Sequence, residues 1–306
     1  MTKKYKVIIS TLVIIGLLVI AGRYLAHTNI PVLEPKGTIA YKERQLIFIT
    51  LAMSLIVIVP VFAMLFGFAW RYREGNKKAK YSPEFDHNRI AETIWWLVPA
   101  VLIFVLGIII WKSSYGLDPY KPLSSVNKPI TIQVVALDWK WLFIYPDENI
   151  ATVNYFQIPN NTPVNFQITA DAPMNSFWLP QLGGQIYAMP GMSTELHLMA
   201  TSQGIYNGSS ANISGRGFAS MTFVARSSSA QSYRAWIKQV KQAPKALTQN
   251  SYAALAAPST GGVVYYKQAE TGLYDTIMMK YMLPTGETTP GGDQALSNIM
   301  AGTQTQ

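Results

Sequence analysis

No cysteine occurs among the 306 residues, which excludes disulfides, iron–sulfur clusters and any thiolate zinc or copper site built from this chain alone. Histidine is nearly as scarce. His27, His87 and His197 are the three present, and nothing in their spacing gathers them into a metal triad. They read as a linker residue, a residue of a basic loop and a strand residue. Met189, Met192 and Met199 offer thioethers that a cuprous ion accepts, but methionine at strands and turns is in the first place core filler. Charge is sparse too, at 13% of the chain, and the sparseness is concentrated. Leu46 to Trp70 carries no charged residue over 25 positions, and Thr93 to Trp111 none over 19.

A bilayer core needs about 20 apolar residues in a helix, so both runs are expected to span a membrane. Pro60 and Pro99 fall inside them, which a membrane helix tolerates when neighbours satisfy the freed backbone group. Trp70, Trp95, Trp96 and Trp111 sit near the ends, where interfacial anchors belong. A buried core hairpin is the bland alternative, and two long uncharged runs separated by a basic loop count against it. The run from Val7 to Gly22 is shorter, 16 residues, and follows Lys3, Lys4 and Lys6. That is the layout of a signal peptide, either cleaved or kept as a short signal-anchor. Arg23 follows Ala21-Gly22 where a lipidated chain would need cysteine.

Charge sets the orientation. Residues 1–112 hold 14 Lys and Arg against 6 acidic residues, whereas residues 113–306 hold 11 against 10. The positive excess therefore belongs to the apolar part. The loop between the long runs carries Arg71, Arg73, Lys77, Lys78, Lys80 and Arg89, and by the positive-inside rule it faces the cytoplasm. Everything after Trp111 then lies outside. Nucleic-acid binding, which a pI near 9.5 suggests, is disfavoured because the region after the spans is nearly neutral.

A Ser- and Pro-containing linker, Ser113 to Pro129, leads to short β-type runs. These are Ile130 to Ala136, Trp139 to Tyr145, Ala151 to Ile158, Val164 to Thr169, Ser193 to Met199 and Ser220 to Ala225, with Pro and Gly between. Such spacing predicts an all-β sandwich. Ser227 to Val240 then reads as a capped helix, with Tyr233, Trp236, Ile237 and Val240 on one apolar face. The tail from Pro284 is rich in Gly, Thr and Gln, with little to bury, and reads as disordered.

One loop ties these parts together: Ser210-Ala-Asn-Ile-Ser-Gly-Arg-Gly-Phe-Ala-Ser-Met221. It resembles the copper-binding loop of subunit II of haem–copper respiratory oxidases, which reads Cys-x-Glu-x-Cys-x-x-x-His-x-x-Met. The two Cys fall on Ser210 and Ser214, the Glu on Asn212 and the His on Phe218; Met221 is retained. The upstream His of that family falls on Asn175 in Met174-Asn-Ser-Phe-Trp178. Soft copper needs thiolate and imidazole donors, so the resemblance implies a cupredoxin domain without its metal. Asp138-Trp-Lys-Trp-Leu-Phe-Ile-Tyr145 resembles the Trp-rich strand of the same subunit, and Pro190-Gly-Met192 a turn of the domain. Phe68-Ala-Trp-Arg-Tyr-Arg73 and Lys80-Tyr-Ser-Pro83 resemble the quinol oxidases, of bo type. The likeness covers about Pro35 to Ala225, and the aromatic-rich tract with Tyr252, Tyr265, Tyr266 and Tyr274 is similar to the extension those subunits carry.

The resemblance implies a membrane-anchored all-β protein: a helical hairpin, a Greek-key cupredoxin-like sandwich and an aromatic-rich helical extension. Its expected divisions are a signal peptide or signal-anchor at 1–26, a periplasmic linker at 27–45 and the hairpin at 46–112 with the cytoplasmic loop 71–90. A periplasmic cupredoxin-like domain follows at 113–226, the extension at 227–283 and the disordered tail at 284–306. It implies a multi-pass protein of the bacterial inner membrane, partnered by a haem-bearing subunit I and other oxidase subunits. Haems and copper would reside in subunit I and none on this chain; quinol would be the substrate of the complex. Glu92, at the start of the second span, corresponds to a carboxylate at the cytoplasmic mouth of a proton channel. Read without the family it is a helix-start charge favoured by the dipole, beside Asn88 as a cap. Trp139 and Trp141 are expected as interface or core aromatics, since no copper here receives electrons from cytochrome c. Docking basic cytochrome c would also favour an acidic patch. The extension's aromatics are read as packing, in preference to a quinol site. Two alternatives stand beside this reading: a stand-alone, membrane-tethered sandwich that binds or assembles other proteins, and a copper-bearing cytochrome c oxidase subunit, which the missing ligands oppose.

Overall fold

The computed structural model describes residues 30–80 and 87–282, with 16, 17, 19, 20, 22, 23 and 28 before them. His27, most of the Lys80-Tyr-Ser-Pro83 motif and the tail 284–306 lie outside the described residues. The chain divides into two compact units, Met1–Lys121 with Gln181–Gly183, and Pro122–Pro180 with Gly184–Gln306.

The first unit contains two long helices, α1 (Thr38–Arg71) and α2 (Arg89–Gly116). At 1.5 Å per residue they are about 51 and 42 Å long, more than a hydrocarbon core of about 30 Å requires. By length and composition both can cross a membrane. α1 starts eight residues before the apolar run at Leu46 and takes in Lys42, Glu43 and Arg44, part of the segment expected as a linker. Charged residues continue a helix readily; hydropathy marks the apolar stretch, not the helix end. Gly37 at the N-cap has no side chain to cap with, and the Ala40 N–H donates instead to the Leu182 carbonyl at 3.1 Å. α2 is capped by Asn88, whose Oδ1 accepts from the Ala91 N–H at 3.0 Å.

The second unit is a two-layer sandwich. Its strands in chain order are β1 (Ile130–Leu137), β2 (Lys140–Tyr145), β3 (Ile150–Val153), β4 (Tyr155–Pro159), β5 (Val164–Ala170), β6 (Asn175–Trp178), β7 (Ile186–Ala188), β8 (Thr194–Leu198), β9 (Gly204–Ser210), β10 (Thr222–Ser228) and β11 (Val264–Tyr266). One sheet runs β11-β3-β2-β1-β5-β8, the other β4-β10-β9-β6-β7. β1 pairs parallel to β5 and β10 parallel to β4; the other pairs are antiparallel. Between the layers lies an aromatic core of Trp141, Phe143, Phe156, Phe166, Phe177 and Phe223, with Phe177 and Phe223 stacked at 4.9 Å. Offset and edge-to-face pairs of this kind add ~0.5–1.5 kcal/mol each beyond their burial.

The sequence run Ala151 to Ile158 is two strands in different sheets. Asn154 separates them at φ 55°, a left-handed conformation that asparagine tolerates. Its Oδ1 accepts from the Trp141 N–H and its own N–H donates to the Trp141 carbonyl, both at 2.8 Å. β6, β7, β9 and β11 add four strands to the runs that the sequence marks. β9 contains Gly204 and Gly208, which read as turn residues, yet Gly208 is there for space: a Cβ would lie 2.1 Å from the Phe223 ring.

After β10 comes α3 (Ala230–Val240), capped by the Ser229 hydroxyl, which accepts from the Ser232 N–H at 3.2 Å. Tyr233, Trp236, Ile237 and Val240 are buried on its one apolar face, as their spacing predicted; Ser227 and Ser228 belong to β10. The chain continues through α4 (Gln249–Ala256), β11 and α5 (Leu273–Met279). β11 extends the edge of the larger sheet, and α4 and α5 pack on its outer face. Leu247, Tyr252, Tyr266, Leu273, Tyr274 and Ile277 form a second core with Val135, Leu137, Leu142, Ile144, Ala151 and Val153. β2 is consequently buried on both faces, which is why its sequence after Lys140 is an unbroken apolar run and not an alternation.

Candidate functional site

The loop from Ser210 to Met221 joins β9 to β10 beside β6. Backbone hydrogen bonds close it: the Ser210 N–H donates to the Met221 carbonyl at 3.0 Å, and the Ala211 N–H to the Ser176 carbonyl at 3.0 Å. A short 3-10 turn, Phe218–Ser220, leads into Met221, which is fully buried. The side chains at the former ligand positions bond to one another and to the backbone. The Ser210 hydroxyl donates to Asn175 Oδ1 at 2.9 Å, with the Asn212 carbonyl 3.2 Å away. Asn175 Nδ2 donates to the Pro173 carbonyl at 2.7 Å, and Asn212 Nδ2 to the Met174 carbonyl at 2.9 Å.

Asn175, Ser210 and Asn212 thus come together, with Met221 tied in through its backbone. Ser214 and Phe218 are carried on the same loop, partly buried; the Ser214 hydroxyl is enclosed without a hydrogen-bond partner. The donor set is hydroxyl and amide, already turned inward on itself, and does not fit a copper ion that takes thiolate and imidazole. Among the described residues no group of three or more His, Cys, Asp or Glu could hold a metal.

Trp139 and Trp141 part company. Trp141 is fully buried in the aromatic core, edge-on to Phe177 and Phe223 at 5.4 and 5.8 Å, so it offers no surface to another subunit. The interface expectation for Trp141 is corrected accordingly: its side chain points inward because β2 alternates about Leu142. Trp139 lies in the turn before β2 at φ 66°, a conformation costing ~1–2 kcal/mol for a non-glycine residue. Its indole lies on Gly215 and Gly217, where a Cβ on Gly217 would be 2.2 Å from the ring. The Trp-rich turn therefore packs against the loop from Ser210 to Met221.

Glu92 lies in the first turn of α2. Its Oε1 accepts from the Asn88 N–H at 3.1 Å, completing a reciprocal cap, and lies 2.6 Å from His87 Nδ1. It lines an open concavity of about 610 Å³ with Arg89, Thr93, Trp96, Leu97 and Ala100.

Sequence reasoning missed Asp171. It follows β5 and its carboxylate is enclosed, receiving hydrogen bonds from Tyr252 (2.6 Å), Lys280 (2.7 Å) and Tyr281 (2.5 Å). Burial pushes its pKa up, but the bonds from Lys280, Tyr252 and Tyr281 outweigh that and hold the carboxyl below its ordinary value. Burial, then the bond to Asp171, pushes the Tyr252 phenol far up. Tyr274, buried and paired with the Ser193 hydroxyl at 2.8 Å, is pushed up to about 12 by that burial. The extension's tyrosines pack on the sheet, and Tyr252 and Tyr274 are also tied to it by hydrogen bonds. A lone Asp between Ala170 and Ala172 was the one available hint.

Comparison with known proteins agrees with this geometry. The periplasmic domain of cytochrome c oxidase subunit II matches residues 147–228, and the COX aromatic rich motif matches residues 241–285. Two apolar helices, a cupredoxin-like sandwich and an aromatic-rich extension define the oxidase subunit II class of protein. The cytochrome bo(3) ubiquinol oxidase subunit 2 of Pseudomonas aeruginosa is 47% identical over 84% of this chain and 78% of its own length. That of Pseudomonas putida is 45% identical over 91% and 88%, and the ubiquinol oxidase subunit 2 of Acetobacter aceti 45% over 84% of each. The chain belongs to the quinol oxidase subunit 2 family.

Proposed function

We propose that this chain serves as the copper-free subunit II of a proton-translocating haem–copper quinol oxidase, a complex that oxidises membrane quinol to quinone and reduces dioxygen to water. The observation that carries the copper-free part is the Ser210–Asn175 hydrogen bond, made between two positions where copper-bearing members have a cysteine and a histidine. Electrons then bypass this subunit. Quinol is lipid-soluble and reaches subunit I from the bilayer, so no soluble-side relay is needed; haems and copper are assigned to subunit I. α1 and α2 cross the inner membrane, the basic loop 71–90 lies in the cytoplasm, and the sandwich with its extension lies outside. Within that arrangement the loop 210–221 is a scaffold, Trp139 faces a neighbouring subunit, and Glu92 lies at the cytoplasmic mouth of a proton channel.

Purification through a tag on this chain tests the reading. The expected result is a complex with a haem-bearing, many-span partner that consumes oxygen with quinol. Recovery of the chain alone, without haem, would point to a stand-alone tethered module. Stoichiometric copper on this subunit, with near-infrared absorbance, would sink the copper-free part.

A further inference from the structure

The C-terminal end of α1 forms a pocket that the oxidase reading leaves unused. Trp70, Arg71, Arg73, Asn76 and Lys78, with Gly67, line a concavity of about 380 Å³. Three of these carry positive charge and none carries negative charge. A helix C-terminus ordinarily repels anions through its free carbonyls. Here the chain covers them itself. The Phe68 carbonyl accepts from the Tyr72 N–H at 2.9 Å, and the Arg71 carbonyl from Asn76 Nδ2 at 2.5 Å. The Trp70 carbonyl accepts from an Arg73 guanidinium nitrogen at 3.4 Å. A turn at Gly75, φ 81°, brings Asn76 back under the helix end and carries Lys78 to the pocket wall.

Aromatics mark the depth. Phe68, Trp70 and Tyr72 are 60%, 68% and 63% exposed at this same end, and the Arg73 guanidinium sits 5.9 Å from the Trp70 ring centre. Exposed aromatics next to cations, at the end of a long apolar helix, belong at the headgroup level of a bilayer. We propose that this pocket binds the phosphodiester headgroup of an anionic phospholipid such as phosphatidylglycerol, held by Arg71, Arg73 and Lys78 with Trp70 at the glycerol level. Arg71 and Arg73 supply forked donors suited to phosphate oxygens, and Lys78 a third, point-like charge. Zwitterionic lipids carry a cation of their own and gain less there. The inference rests on α1 spanning the membrane.

The test uses the whole complex, reconstituted into phosphatidylcholine bilayers with a minor share of phosphatidylglycerol, re-extracted, and its retained lipid measured by mass spectrometry. Phosphatidylglycerol should be enriched over its share in the bilayer. Removing two cations with Arg73→Gln and Lys78→Gln should lower that enrichment by roughly 10- to 30-fold. The pair Lys77→Gln and Lys80→Gln removes equal charge from the same loop outside the pocket and should change it less than about twofold on the same reasoning. Equal loss in both pairs, or loss in neither, overturns the pocket. Displacement of the lipid by millimolar inorganic phosphate would reassign the site to a soluble anion. A photoactivatable phosphatidylglycerol on the unaltered complex keeps the proposal falsifiable if the variants do not assemble. It should label the segment 67–78 more than the matching phosphatidylcholine probe does, and equal labelling overturns the assignment. Absence of labelling by either lipid probe anywhere in residues 38–71 would defeat the spanning of α1 itself, an outcome distinct from a lost preference.

Discussion

The Ser210 hydroxyl donates to Asn175 Oδ1 at 2.9 Å, joining the first position of the loop to the first residue of β6. Both residues are buried, 6% and 1% exposed. Losing one partner leaves the other unsatisfied, at a cost of ~1–3 kcal/mol. Ser210→Ala is therefore expected to destabilise the chain by that amount, and adding Asn175→Ala to cost less than the sum of the two single changes. Denaturant unfolding of the detergent-solubilised chain measures this. A Ser210→Ala variant as stable as the parent would show that the backbone pairs of Ser210 and Ala211 hold the loop unaided.

A second contact secures the same loop at Gly215 and Gly217. A Cβ on Gly217 would lie 2.2 Å from Trp139, so Gly217→Ala must displace the indole or the loop, at ~1–3 kcal/mol. Trp139→Ala removes the obstacle together with its packing. The double variant should be no less stable than Trp139→Ala alone, because the methyl group then has room. A Gly217→Ala penalty that persists fully in the Trp139→Ala background would mean that backbone conformation, and not the ring, restricts this glycine.

Much of this was legible beforehand, for physical reasons that differ by element. The long helices were plain because 25 and 19 uncharged positions have no common soluble use. The loop at Ser210 was legible through spacing: its length and Met221 match the copper-binding loop although the ligand residues do not. α3 was readable from Tyr233, Trp236, Ile237 and Val240, all of which are buried. β9 was hidden because Gly208, needed to clear Phe223, looks in sequence like a turn. The break at Asn154 was hidden because both strands are apolar and only a left-handed residue divides them. Beyond the hint of a lone Asp between two alanines, the role of Asp171 was hidden because its partners, Tyr252, Lys280 and Tyr281, are about 80 to 110 positions away.

That distance gives the Asp171 cluster its predicted effect. A carboxyl held below its ordinary pKa stabilises the fold at pH values above the unfolded pKa, near 4 for aspartate. The contribution is lost as pH falls from there through the lower folded value. Melting temperature should accordingly drop below about pH 4, and the drop should be shallower in Asp171→Asn. At neutral pH, Asp171→Asn should cost ~1–3 kcal/mol, because Tyr252 and Tyr281 donate to different carboxylate oxygens, of which asparagine keeps only one, and Lys280 loses its counter-charge. Proteolysis should cut first within residues 241–282, since the carboxylate ties Tyr252, Lys280 and Tyr281 of that segment to the end of β5. An unchanged pH profile in the variant would assign the acid sensitivity to other carboxylates.

The cap seen at Glu92 and the proton role proposed for it can be separated by one substitution. As a cap, its Oε1 accepts from the Asn88 N–H at 3.1 Å, which a glutamine oxygen also does. As a proton carrier it needs a titrating carboxyl, which glutamine lacks. Glu92→Gln should therefore leave assembly and stability within about 0.5 kcal/mol, the scale of a first-turn charge on a helix dipole, while slowing quinol-driven oxygen uptake severalfold. Asn88→Ala gives the reverse pattern. It deprives the Ala91 N–H of its acceptor and should cost ~1 kcal/mol of helix stability with turnover preserved. Stopped-flow oxygen consumption and thermal unfolding on both variants distinguish the cases. Turnover of Glu92→Gln equal to the parent would leave the residue as a helix cap shared with His87, and the proton path would have to begin on another subunit.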